Sequence, residues 1–162
     1  MKICKIVTYP NPILTKKSEP VKFVGTFEVD LIQKMIQAMY REGGVGIAAP
    51  QVGVSTRIFI ASPNAKPGEE MIFINPVIFK QTGEQIGVEG CLSLPGVSGE
   101  VRRAKRIEFE CMDQDGKLIQ GIADDFLARI IQHELDHLDG KLLIDRVDFD
   151  QRLELLNSYQ RL

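Results

Sequence analysis

The sequence has no basic excess: 20 Lys and Arg stand against 22 Asp and Glu, a net charge of −2. Nothing in that balance would hold a phosphate backbone, which argues against nucleic acid as a partner. No run approaches the roughly 18 to 20 apolar residues of a membrane helix, so no membrane partner is expected. The opening MKICKIVTYPNP is too short in apolar residues for a signal-peptide core before its prolines begin. Cysteine occurs three times, at Cys4, Cys91 and Cys111. An odd count suits free thiols in a reducing compartment better than a disulfide framework, and a cytoplasmic location is expected. Internal repeats and low-complexity segments are absent. Histidine is scarce too, with only two in the whole chain.

What is present reads as one globular domain over residues 1–162. The chain is 44% hydrophobic and 26% charged, which separates it from disordered sequences and is enough to bury a core without staples. The opening YPNPILTKKSEPV carries three prolines and reads as an extended arm with turns. Val29, Ile32, Met35, Ile36 and Met39 follow helical spacing, with Thr26 as the expected N-cap and Gly43 and Gly44 as the stop. Three strand-like runs follow: RIFIA (57–61), MIFINPVIF (71–79) and RIEFECM (106–112). In the last, Ile107, Phe109 and Cys111 alternate with Glu108 and Glu110, and DQDGK turns the chain into LIQGIAD as a hairpin. A second helix is expected from about Asp124 to Leu138, ending at Gly140, and a short third one from Phe149. Helix, strands and helix again make the fold class α+β, a single domain with antiparallel sheets around a central helix.

That second helix carries both histidines, in RIIQHELDHLDGK (129–141). Side chains four residues apart on a helix lie one above the other, about 5 to 6 Å apart at Cβ, so His133 and His137 can reach one ion. Phe126 and Ile130 continue the stripe, which puts the histidines on an inward, apolar face. Glu134 is rotated by roughly 100° from His133, placed to contact a water without ligating the metal. This is the H-E-x-x-H pattern, whose glutamate is a general base in metal-assisted hydrolysis. A lone buried histidine is more often an ordinary hydrogen-bonded core residue. Here a glutamate shares the face, and an unpaired buried carboxylate is costly.

A catalytic site of this kind takes three protein ligands and an open position. With two histidines available, the third must be Cys, Asp or Glu. Glu154, on the expected third helix, is one candidate and would give a thermolysin-like peptidase. Cys91, in the small-residue turn VEGCLSLPG, is the other. Cys4 and Cys111 read as inert thiols. A non-enzymatic metal-binding module would need four protein ligands, and no convincing fourth is present. A further segment, GGVGIAAPQVG (43–53), is dense in glycine and alanine, so its backbone can approach a ligand closely. Gln51 there supplies an amide NH₂ able to donate to an oxyanion. The segment lacks the Lys-Ser/Thr of a P-loop, and a tight helix exit would explain its glycines equally well.

Taken together, GVGIAAPQ (44–51), EGCLS (89–93) and QHELDH (132–137) resemble the three motifs of the peptide deformylases, G-x-G-x-A-A-x-Q, E-G-C-L-S and Q-H-E-x-D-H, in order. The proline-bearing opening is similar to the family's N-terminal arm. The resemblance implies that Cys91, His133 and His137 bind the metal and that Glu134 is the general base and acid. It makes Gln51 and the Leu92 N–H the oxyanion hole, with Gly46 presenting backbone to substrate. It also implies one Fe²⁺ per chain, with Zn²⁺, Ni²⁺ or Co²⁺ as substitutes. The reaction implied is removal of formyl from the N-terminal formylmethionine of nascent peptides, releasing formate. The methionine pocket is expected from Val45, Phe126, Ile130 and the His133 ring, with Arg129 covering it by its alkyl stem and Gly90 beside it. Asp136 or Asp139 is expected to orient an imidazole, and Glu89 to pair with Arg102 or Arg103.

Two departures from the family pattern stand out. Val88 replaces an acidic residue, and Ser98 stands where some bacterial members carry arginine. Some members also dock on the ribosome through a basic C-terminal helix. Here Arg146, Arg152 and Arg161 face four acids, Asp145, Asp148, Asp150 and Glu154, so that route is not supported. A monomer is expected.

Overall fold

A computed structural model describes residues 4–160. The first helix, α1, runs Thr26–Arg41. Its N-cap is Gly25 rather than Thr26, because Glu28 reaches back to the Gly25 N–H at 2.9 Å and closes the turn one residue earlier. The expected strands form as β2 (Ile58–Ala61), β3 (Met71–Thr82), β6 (Arg106–Met112) and β7 (Leu118–Asp124). Three more escaped the sequence reading: β1 (Gly46–Ala48), β4 (Gln85–Gly90) and β5 (Ser98–Arg103). β1 is three residues long, and β4 and β5 are poor in the apolar alternation that marks a strand. The histidine helix is α2 (Asp125–Leu138), and α3 (Phe149–Gln160) follows. Within the opening arm, Pro12–Thr15 forms a 3₁₀ turn.

The strands make an antiparallel sheet in the order β1-β2-β3-β6-β7, with β4 and β5 as a separate two-stranded ribbon. The run at 58–61 is apolar throughout because both its faces are covered. Phe59 and Ala61 pack with Ala128 and Ile131 of α2, whereas Ile58 and Ile60 pack with Ile32 and Met35 of α1. The alternation in β6 puts Ile107, Phe109 and Cys111 into the α2 core, as its pattern predicts. Burial pushes the Cys111 thiol up to about 11, in keeping with an inert core residue.

α2 is therefore central, with the large sheet against one side and the β4–β5 ribbon against another. Gly140 ends it with φ of 74°. A side chain there would strike the Thr15 carbonyl, so the helix stop and the arm's path are fixed together.

Candidate metal centre

His133 and His137 project from one face of α2, and their Nε2 atoms lie 3.3 Å apart. Cys91 follows directly on β4, and its Sγ sits 3.4 Å from His137 Nε2. All three donor atoms fall within 4.8 Å of one another. Donors around one tetrahedral ion, at roughly 2.0–2.1 Å for nitrogen and 2.3 Å for sulfur, stand about 3.4 Å (N–N) and about 3.6 Å (N–S) apart. The observed spacings match those edges. Two imidazole nitrogens facing each other so closely can share only one proton, whereas an ion satisfies both. The donor set fits a Cys-His-His metal site with its fourth position left for water or substrate. Glu154 is exposed on α3 and is not one of the grouped donors, so the thermolysin-like alternative does not form.

His133 Nδ1 meets Glu89 Oε1 at 2.8 Å, which leaves Nε2 to face the other donors. Arg103 holds Glu89 through two bonds of 2.9 and 2.8 Å, and Arg129 adds a third of 2.6 Å. Arg103 continues to Asp136 at 2.7 Å, and Asp136 to Arg146 at 2.6 Å. Burial acts to raise the Glu89 carboxyl, but Arg103 and His133 override it and hold the group well below the usual range. Burial would lower His133 too, yet its bonds to Cys91 and Glu89 raise it well above its ordinary value. His137 is lowered, by burial first and then by the charges of His133 and Arg103.

Glu134 has a different setting. Its carboxylate lies against the Gly46 backbone so closely that a Cβ at position 46 would collide with it. Any side chain there would displace the carboxylate from this position. The Glu134 Oε2 is buried without a hydrogen-bond partner among the described residues. Burial pushes this carboxyl up to about 7, where it can both take and give a proton near neutral pH. Gln51, on the 3₁₀ turn Ala49–Val52, accepts the Ala48 N–H on Oε1 at 2.9 Å. That bond turns Nε2 outward, towards Ser93 Oγ (3.2 Å) and Cys91 Sγ (3.7 Å).

A cleft of about 450 Å³ opens beside these groups. It is lined by Val45, Gly46, Gln51, Gly90, Cys91, Leu92, Phe126, Arg129, Ile130, His133 and Glu134. The structure thus brings the sequence-predicted residues to one place, with His137 set deeper than the residues lining the cleft. Within that group, Ile130 is buried but Phe126 is half-exposed at the rim, so the inward stripe stops one turn short.

Of the two partners expected for Glu89, Arg103 is the one it meets, whereas Arg102 points outward to Glu84. The expectation for the two aspartates needs correction. Neither Asp136 nor Asp139 meets an imidazole: Asp136 is taken by Arg103 and Arg146, and Asp139 by Arg57. His137 Nδ1 has no partner among the described residues. The Glu89–His133 bond was missed. Its only sequence signal is a glutamate two residues before Cys91, which says nothing of which histidine it meets. Val97 also lines the cleft, as does Val88, which the sequence marked only as a departure from the family pattern.

Comparison with known proteins agrees with this geometry. The polypeptide deformylase family model matches residues 3–152. The peptide deformylase of Syntrophomonas wolfei is 41% identical over 157 residues, covering 96% of this chain and all of that protein. That of Thermodesulfovibrio yellowstonii is 42% identical over 91% of this chain and 90% of its own length. A crystal structure of a peptide deformylase from Legionella pneumophila superposes with a TM-score of 0.95 at 34% identity, covering 99% of this chain and 95% of that one. With motifs, fold and donor cluster in agreement, the chain belongs to the polypeptide deformylase family.

Proposed function

We propose that this chain removes the formyl group from the N-terminal formylmethionine of newly made polypeptides by hydrolysis, with Cys91, His133 and His137 holding one metal ion. Family membership supports the reaction. The observation that carries the site assignment is the unpartnered Oε2 of Glu134, buried beside three convergent donors at the wall of a cleft. A buried carboxylate oxygen without a partner costs on the order of 1–3 kcal/mol, so it calls for an explanation.

When bound, a divalent ion supplies a Lewis acid that acidifies water and polarises a carbonyl. Glu134 takes the proton of the attacking water and returns it to the departing amine. Gln51 Nε2 and the Leu92 N–H donate to the formyl oxygen as negative charge grows there. The Ala48 N–H on Oε1 keeps the donor end of Gln51 facing the cleft. Val45, Phe126 and Ile130 receive the methionine side chain, and Gly46 and Gly90 offer backbone to the peptide. We read Fe²⁺ as the native ion, with Zn²⁺, Ni²⁺ or Co²⁺ as substitutes. Ferrous iron beside a thiolate presents two oxidisable centres, so aerobic storage should abolish activity that anaerobic handling preserves, as formate assays over time would record.

Residues 1–162 are read as one catalytic domain, acting as a cytoplasmic monomer on formylated nascent chains. No helix of the described residues is long and apolar enough to cross a membrane. Ribosome docking through a basic tail lacks support, since Arg146 and Arg152 are engaged by Asp136 and Asp145. Arg161 lies outside the described residues. The test is formate release from a formyl-Met peptide and its acetyl-Met twin, with protein loaded anaerobically with Fe²⁺. Release from the formyl peptide alone is expected. No release from protein carrying one metal per chain would sink the reading.

A further inference from the structure

Arg129 lines the cleft, and its guanidinium lies buried between α2 and the β4–β5 ribbon. Nη1 donates to Glu89 Oε2 at 2.6 Å, to the Val101 carbonyl at 3.0 Å and, more weakly, to the Gly87 carbonyl at 3.5 Å. Nη2 reaches Gln85 Oε1 at 3.4 Å. One side chain of the histidine helix thus spans both strands of the ribbon. Gln85, Gly87 and Glu89 share the inward face of β4, and Gly87 is where the space is made. A Cβ there would stand 3.1–3.4 Å from the guanidinium atoms.

The consequence falls on Glu89. Its Oε1 accepts from Arg103 and meets His133, and its Oε2 accepts from Arg103 and Arg129. Arg103, on β5, fixes Glu89 within the ribbon and reaches α2 only by way of Asp136, at 2.7 Å. Arg129 comes from the same helix as His133, one turn earlier. Of the two arginines, it alone belongs to the helix that carries both histidines and bonds the carboxylate from there.

We propose that Arg129 is a positioning residue that locks the β4–β5 ribbon onto α2, fixing Glu89 and through it the metal ligand His133, in the space left by Gly87. The inference rests on the metal-site reading above. It concerns metal binding rather than turnover.

The test uses Co²⁺ as the probe on the full chain, reading its affinity by chelator competition and its visible absorption band, with no substrate present. R129M is expected to bind Co²⁺ roughly 10- to 100-fold more weakly and to shift the band, the usual consequence of losing support behind a metal ligand. R129K keeps the charge but cannot bridge two strands, and should recover only part of the loss. G87A, which retains every atom of Arg129 but crowds its guanidinium, should weaken binding in the same direction. It also carries the test if R129M does not fold, as urea unfolding of the metal-free chain would reveal. In the R129M/G87A double variant the two losses should not add, because residues acting through one contact are not independent. Unchanged affinity and band in folded R129M would overturn the proposal. Loss in R129M with none in G87A would overturn the role given to Gly87. Wild-type protein that binds Co²⁺ yet leaves formyl peptides intact when loaded with Fe²⁺ would defeat the functional reading and leave this one standing.

Discussion

Two glutamates beside the donor cluster show how far partners outweigh burial. Glu89 and Glu134 are almost equally sequestered, at 6% and 4% exposure. Glu89 is surrounded by two arginines and a histidine, each of its oxygens meeting two partners, and is held firmly ionised. Glu134 has Gly46 backbone against it and an oxygen with no partner among the described residues, and burial pushes it up to about 7. One region is a satisfied ion network around His133. The other is left unsatisfied at the wall of the cleft. Two carboxyls of similar burial are thus driven apart by their partners.

The largest expected break in that contrast is in turnover. E134Q removes the mobile proton while keeping the shape, and formate release should fall by roughly 10²- to 10⁴-fold with metal content unchanged by elemental analysis. Q51A removes one donor to the formyl oxygen and should cost about 10²- to 10³-fold in kcat. Far-UV circular dichroism should show that it still folds.

The two carboxyls should also give opposite pH dependence of stability in chain stripped of metal by chelation. A carboxyl raised from 4.5 to about 7 contributes fully below 4.5 and is lost as pH rises through about 7. At about 1.4 kcal/mol per pH unit, Glu134 should lower stability by up to about 3 kcal/mol between pH 5 and pH 8. Urea midpoints at the two values should therefore differ less in E134Q than in wild type. Glu89 runs the other way: its contribution is full above 4.5 and lost as pH falls through its depressed value. E89Q should accordingly flatten the acid side of the curve. The smallest effect concerns the metal itself. E89Q should lower affinity about 10- to 100-fold by loosening His133, measured by competition with a chelator.

How legible the site was depends on sequence distance. His133, Glu134 and His137 lie on one helical turn, so spacing alone placed them together. Cys91 could not be chosen over Glu154 by spacing, and motif resemblance to a known family made that choice. The supporting network was read poorly. Glu89 was paired with the right ribbon, but Asp136 and Asp139 were set against His137 because they flank it in sequence. In the structure both turn to arginines brought from elsewhere. β4 and β5 were missed because their inward positions hold Gln85, Gly87 and Arg103, which carry charge and space rather than the apolar alternation of a strand.

By itself the sequence determined the helices, the main strands and the turn that stacks two histidines, because these follow from periodicities of 3.6 and 2 that act over a few residues. It also determined that glycines would bring backbone close to a site. Only the tertiary structure decided that Glu89 is held well below its usual range while Glu134 is pushed up to about 7, that the Arg129 guanidinium is buried against the ribbon, and that Gly46 makes room for a carboxylate. Those outcomes depend on which charges meet once water is excluded. That is set by packing between segments far apart in the chain.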